Sequence, residues 1–441
     1  MKNKFSLLFS VFALILTSFV SGATLAQDAA FDVISFDFDR ESQCYSVGEE
    51  ASITISATLK DELVKSGSLT VTFTNDGRDE VAAPLTFDLS ENNPVTVTGA
   101  LSFPGFLQIR ATAKSADGNS SKSALAGAAF DPEKIEPGLP KPDDFDEYWN
   151  RGRAEVRSIP MDLQQQKIDS LSNESHTVYE VSFATVNDQR VYGYLSVPCK
   201  GEAPYPVIVN VPGAGPGIGP EFWLADKGFV ALTMNVFPYP VSLNTTERQS
   251  MYDEFNKNAG KTYCYIDADN RDKFFFRPVY LGIDRAIDWL AEQDYVDASR
   301  IGYYGSSQGG ASALILGGLN KRFCAILAAV PALCDHGGYE KGRSAGWPKL
   351  VDFYHGDANV REASQYLDAV NFARNIDQAT IEITVGFIDV VCSPSSVYSA
   401  YNVIPSANKA IIHEPKLGHR NEKKFLDAYD RLLERVKNNG R

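Results

Sequence analysis

Histidine, cysteine and basic charge are all scarce in this chain, and each scarcity removes a class of function. Only five histidines (His176, His336, His355, His413, His419) occur in 441 residues, so few side chains can serve as a general base or a metal ligand. The six cysteines (Cys44, Cys199, Cys264, Cys324, Cys334, Cys392) show no CxxC spacing. Neither a disulfide framework nor a zinc site is indicated, although one or two bridges would suit an exported protein. Lysine and arginine number 42 against 56 aspartates and glutamates, a formal charge of −14. A field of that sign repels phosphate and argues against a nucleic-acid partner, while a neutral or polysaccharide ligand meets no such penalty. Long apolar runs are also lacking, with one exception, FSLLFSVFALILTSFV at residues 5–20. Lys2 and Lys4 precede it and SGATLA follows, the order of a secretory signal spanning residues 1–26, with cleavage expected after Ala26 and an uncleaved anchor as the alternative. No membrane contact is expected once the signal is removed, so the expected location is periplasmic or secreted.

What the chain does have is two textures. Within residues 27–130, ASITISATL, SLTVTFTND and GFLQIRATAK alternate apolar with polar residues and are separated by turn clusters such as NDGRD, ENNP and ADGNSS. That pattern predicts a small β-sandwich, Ig-like in size. Residues 131–142, rich in proline and acid, read as a linker. From residue 143 to 441, strands alternate with helices. TVYEVSFATV and RVYGYLSVP form an expected antiparallel pair, and PVIVNV, FVALTMNV, RIGYYG, CAILAAV, IEITVG and NKAIIHE read as buried strands. The expectation is an α/β fold, a mostly parallel sheet covered on both faces, with its ligands at the carboxyl ends of the strands.

At one such end stands GSSQG, residues 305–309. A GxSxG between a strand and a helix is a nucleophile elbow, in which a tight turn lifts Ser307 clear of the sheet where a base can reach its proton. In the chain order Ser, acid, His, the base must follow the last strand. His413 lies inside KAIIHEP, where the pleat fixes its direction, and reads as structural; His419, in the loop KLGHRN, is the favoured base. Asp389, just past IEITVG, is the favoured acid, with Asp335 as its rival. An oxyanion needs two N–H donors: Gln308, next to the serine, and Ala214 in the loop PGAGPGIGP, whose spacing is neither GxGxxG nor a P-loop. No metal or cofactor is called for.

With these residues placed, residues 143–441 resemble the acetyl xylan esterase and cephalosporin-C deacetylase family of α/β-hydrolases. The resemblance rests on DDFDEYW, VYEVSF with YGYLSVP, RPVYLGIDRAIDWL, GSSQGG, AAVPALCDH, LDAVNFA and GFIDVVCSPSSVYSAYN. It implies an α/β-hydrolase fold and a serine esterase that removes acetyl or other small acyl groups from acetylated poly- or oligosaccharide. It also implies a triad of Ser307, Asp389 and His419, oxyanion donors at Gln308 and Ala214, and unpaired thiols at Cys334 and Cys392. The chain departs from the family where Phe237, Pro238 and Tyr239 replace Arg-Gly-Gln, and where Arg420, not glutamate, follows His419. A homo-oligomer is left open. The alternatives are a peptidase of the prolyl oligopeptidase type and a non-catalytic glycan-binding protein. Every candidate catalytic residue lies beyond the linker, so loss of residues 27–142 is expected to spare hydrolysis of a small ester.

Overall fold

The computed structural model describes residues 30–438; the expected signal segment lies outside them. Residues 33–130 form nine strands: β1 (Val33–Phe38), β2 (Cys44–Tyr45), β3 (Ala51–Leu59), β4 (Glu62–Leu63), β5 (Ser68–Asn75), β6 (Asp79–Asp88), β7 (Val95–Gly99), β8 (Gly105–Lys114) and β9 (Ser121–Phe130). Alternation in sequence becomes alternation in burial: Ala51, Ile53, Ile55 and Ala57 of β3 are buried and their neighbours half-exposed. The strands make two sheets, β1-β3-β4 with β7 also on β3, and β2-β9-β8-β5-β6. One apolar cluster joins Ile53 and Ile55 of the first sheet to Val71 and Ile109 of the second, which is sandwich packing.

Residues 131–142 are not a free tether. Ile135 and Leu139 are buried, the Asn402 side-chain amide donates to the carbonyls of Pro132 and Ile135 at 2.9 Å each, and the Gly138 N–H donates to the Asp335 carboxylate at 2.7 Å.

The rest of the chain builds a nine-stranded sheet from β10 (Gln164–Lys167), β11 (His176–Ala184), β12 (Arg190–Pro198), β13 (Tyr205–Asn210), β14 (Val230–Met234), β15 (Val296–Ser306), β16 (Phe323–Ala329), β17 (Thr380–Gly386) and β18 (Lys409–Glu414). The order is β10-β11-β12-β14-β13-β15-β16-β17-β18. Pairing is antiparallel as far as β14 and parallel from there to β18. The expected opening pair is thus β11 with β12, and β14 rather than β13 sits beside it.

The central parallel strands β13 and β14 are buried almost end to end because both faces of the sheet are covered. Val207 and Val209 join the cluster beneath the helices Phe276–Ala291 and Gln308–Leu319. Ile208, between them, joins the opposite cluster beneath helix Lys423–Lys437. That last helix presents Ala428, Leu432, Leu433 and Val436 at helical spacing. Among the described residues, no helix is long and apolar enough to cross a membrane.

The terminal helix lies so close to the sheet that a Cβ at Gly302 would stand 2.4 Å from a Val436 methyl and 3.1 Å from an Ile208 methyl. Gly302→Ala should therefore overpack this face and lower stability by about 1–3 kcal/mol. Chemical denaturation should show the loss, and Val436→Ala in the same chain should recover part of it.

Candidate active site

β15 ends at Ser306 and the next helix begins at Gln308, so Ser307 alone makes the turn, at φ 58° and ψ −118°. A residue with a side chain in a sparse backbone region stores roughly 1–3 kcal/mol, and persists only where the surroundings fix it. Here they do. The Ser307 N–H donates to the Ala329 carbonyl at 2.9 Å, and the Ser307 carbonyl accepts from Ala332 at 3.0 Å. Two glycines permit the approach: a Cβ at Gly305 would lie 2.5 Å from the Gly309 backbone, and one at Gly309 would lie 2.1 Å from the Val211 carbonyl oxygen.

His419 and Asp389 arrive on two loops that are bound to each other. The Phe387 N–H donates to Glu414 at 3.3 Å and the Ile388 N–H to Leu417 at 3.2 Å. A Cβ at Gly386 would stand 2.5 Å from that same Leu417 carbonyl oxygen. Beyond the histidine, the Asn421 side-chain amide donates to Ser306 Oγ at 2.9 Å. These ties leave His419 Nε2 2.9 Å from Ser307 Oγ and His419 Nδ1 2.8 Å from Asp389 Oδ2. The other Asp389 oxygen accepts the N–H groups of Val391 and Cys392 at 2.8 and 2.9 Å. The buried carboxylate favours a proton on Nδ1, which turns the Nε2 lone pair toward the serine hydroxyl. Such a row can take a proton from Ser307 as its oxygen attacks a carbonyl and return it to a leaving group.

Sequence reasoning named these three residues, and the fold brings them together. The remaining candidates fall elsewhere. Asp335 is ion-paired with Arg343 at 2.8 Å and accepts from Ser399 at 3.1 Å, so it braces the packing under the linker. His413 stays in β18 with its Nε2 2.5 Å from the Tyr398 hydroxyl, and burial lowers its pKa. His176 pairs with Asp226 at 2.7 Å, and burial drives His336 down to about 3.

Gln308 follows the serine directly. The Gln308 N–H is the first of its helix and has no intrahelical acceptor. Ala214 is exposed in the loop after β13, and that loop rests on the elbow through Val211 and Gly213. Two polar partners had no sequence signal: Asn421, and Tyr263, whose hydroxyl donates to the Gln308 side-chain oxygen at 2.5 Å. Phe237 and Tyr239 are buried and stack with centroids 5.5 Å apart, and Phe237 meets Tyr263 edge-on at 4.8 Å. The aromatic pair thus reaches the site through Tyr263, while Pro238 is exposed. All six cysteines are free. Burial, then the Asp389 charge, pushes the Cys392 thiol well above its usual range; it stays protonated, the form that is a poor nucleophile.

A mostly parallel, doubly covered sheet with a serine on the strand-to-helix turn at its carboxyl edge is the architecture of an α/β-hydrolase. Over residues 133–434 the chain matches the acetyl xylan esterase (AXE1) family, and it belongs to that family. It is 31% identical over 331 residues to the acetyl esterase Axe7A of Xylanibacter ruminicola, covering 74% of this chain and 73% of that relative. Among solved structures it is similar to an acetyl xylan esterase from Paenibacillus sp. R4, with a TM-score of 0.57 and 25% identity over 69% of this chain and 98% of that one. It shares its fold with Acetyl Xylan Esterase 1 from Thermoanaerobacterium sp. JW/SL YS485, with a TM-score of 0.59 and 24% identity over 69% of this chain and 97% of that one. The chain is a carboxylic ester hydrolase.

The two histidines of the final strand and loop make a discriminating pair. His413→Ala removes a half-buried bond to Tyr398 and should cost about 1–3 kcal/mol of stability, with turnover of a small ester essentially unchanged. Thermal unfolding and steady-state kinetics on the same preparation check both halves.

Proposed function

We propose that this chain is an exported serine esterase that removes acetyl groups from acetylated carbohydrate. One observation carries the reading, the hydrogen-bonded row from Ser307 through His419 to Asp389 at 2.9 and 2.8 Å. The names of the relatives, acetyl esterase and acetyl xylan esterase, support the acyl group and the class of substrate. Export rests on the amino-terminal pattern alone.

On this reading Ser307 Oγ attacks the acetyl carbonyl while His419 Nε2 takes its proton. Asp389 holds the imidazole and stabilises the imidazolium. The N–H groups of Gln308 and Ala214 receive the oxyanion, helped by the partial positive charge at the start of helix Gln308–Leu319. The sugar oxygen leaves with the proton from His419, and water, deprotonated by the same nitrogen, then releases acetate from Ser307.

Ser307→Ala and His419→Ala should each lower turnover on the order of 10³-fold or more, because each removes one member of a unit. Initial rates on a small acetyl ester, with fluorophosphonate labelling of the wild type, test the assignment; full activity in either variant would sink it. The aromatic packing of Phe237, Tyr239 and Tyr263 behind the Gln308 side chain also leads us to expect a narrow acyl pocket. Each methylene that a tight pocket rejects is worth roughly 1–3 kcal/mol, so rates should fall steeply from acetyl through butyryl to octanoyl esters of one leaving group. A preference for octanoyl would redirect the reading toward lipid esters, and acetate release from acetylated xylan against other acetylated glycans would identify the sugar.

A further inference from the structure

The sandwich touches the catalytic sheet where the acid-bearing loop begins and ends. At its beginning, Phe106 of β8 is fully buried and lies edge-on to Phe387 at 5.1 Å and against Tyr398 at 5.6 Å. Gly127 of β9 lies closer still: a Cβ there would stand 2.4 Å from the Phe387 carbonyl oxygen. At its end, Asp76 in the turn between β5 and β6 reaches across, and its carboxylate accepts the Ser395 N–H at 3.1 Å. Ser395 lies in the first turn of helix Pro394–Val403, capped by the Ser393 hydroxyl, which accepts from Ser396. The Asp389 carboxylate itself accepts from Val391 and Cys392, immediately before that cap.

We propose that Asp76 is a positioning residue for the acid loop, so that the sandwich sets the geometry in which Asp389 orients His419. The inference rests on the proposed function, since a positioned acid matters only if His419 is the base. The span from Phe387 to Ser395 is short, and both ends are fixed by the sandwich. Release of the first helical turn would move the Cys392 and Val391 N–H groups, and the Asp389 carboxylate would follow them.

The Ser395 N–H requires an acceptor oxygen, which a carboxyl and an amide both supply. Asp76 is buried, one of its oxygens has no partner, and burial raises its carboxyl to about 7. A neutral acceptor in the same place should serve as well. The same contacts argue against the expectation that residues 27–142 are dispensable for small-ester hydrolysis. Phe106 and Ala129 belong to the main core of the catalytic sheet, so deletion would strip that core as well as the acid loop.

The test uses the full chain, with competent sites counted by fluorophosphonate titration. Asp76→Ala should lower kcat per titrated site on the order of tenfold, since a displacement approaching 1 Å at a catalytic group can cost up to about 10²-fold. KM for a small acetyl ester should hold steady. Asp76→Asn, which keeps an acceptor oxygen, should recover most of the loss. Wild-type kcat per site in Asp76→Ala would overturn the inference, and so would equal losses in both variants. Should Asp76→Ala give no folded protein, Gly127→Ala decides: it presses a methyl on the Phe387 carbonyl and should lower kcat per site, and an unchanged kcat would overturn the inference. Retained activity in Ser307→Ala would instead overturn the functional reading, and the two failures are thereby separated.

Discussion

Backbone meeting backbone around residue 307 is the constraint from which the rest of this site follows. Ser307 occupies a conformation that an isolated chain would leave at once. It is held by its bonds to Ala329 and Ala332 and by the absence of side chains at Gly305 and Gly309. The Val211 carbonyl stands where a Gly309 methyl would be, so the loop after β13 is pressed against the elbow by the same packing that creates the turn. The neighbourhood of a half-buried serine hydroxyl, a free helical N–H at Gln308 and the Ala214 loop is therefore one feature. A substitution that separated strand from helix would disperse all three.

The parallel sheet converts that local constraint into a site. Because β13 to β18 run the same way, their carboxyl ends share one edge, and loops distant in sequence must pass over Ser307. The acid and histidine loops are joined to each other through Glu414 and Leu417, so Asp389 and His419 reach the serine as a connected pair. Asn421, bonded to Ser306, ties down the chain two residues beyond His419. A loop tied at both sides of its functional residue loses less freedom when substrate binds, and a preorganised base costs no reorganisation at the moment of reaction.

Much of this was legible in sequence because its signals are local. A run such as PVIVN reads as a doubly buried strand, GSSQG as an elbow, and the position of KLGHRN after the final strand selects His419 over His413. The non-local features left no such trace. β14 lies between β12 and β13 although it follows both in the chain, and no pattern within FVALTMNV records its neighbours. β10, QQQK, is exposed at every residue and carries no apolar alternation. Residues 131–142 are proline-rich and acidic in sequence, yet Ile135 joins the core of the catalytic domain and Leu139 is buried against Gly337. Tyr263 and Asp76 are single polar residues whose partners, Gln308 and Ser395, lie 45 and 319 positions away. Their roles exist only once the fold has closed.

The charge of the chain completes the account of the proposed reaction. An acetylated neutral sugar approaches a protein of net charge −14 without electrostatic penalty, and the deacetylated sugar departs as it came. Acetate differs, for it carries a charge that the substrate lacked. It is released beside a buried Asp389 carboxylate and into a negative field. Net repulsion of that sign disfavours the rebinding of acetate and leaves a neutral ester unaffected. That bias works in the same direction as hydrolysis, and it depends on net charge rather than on any side chain of the site.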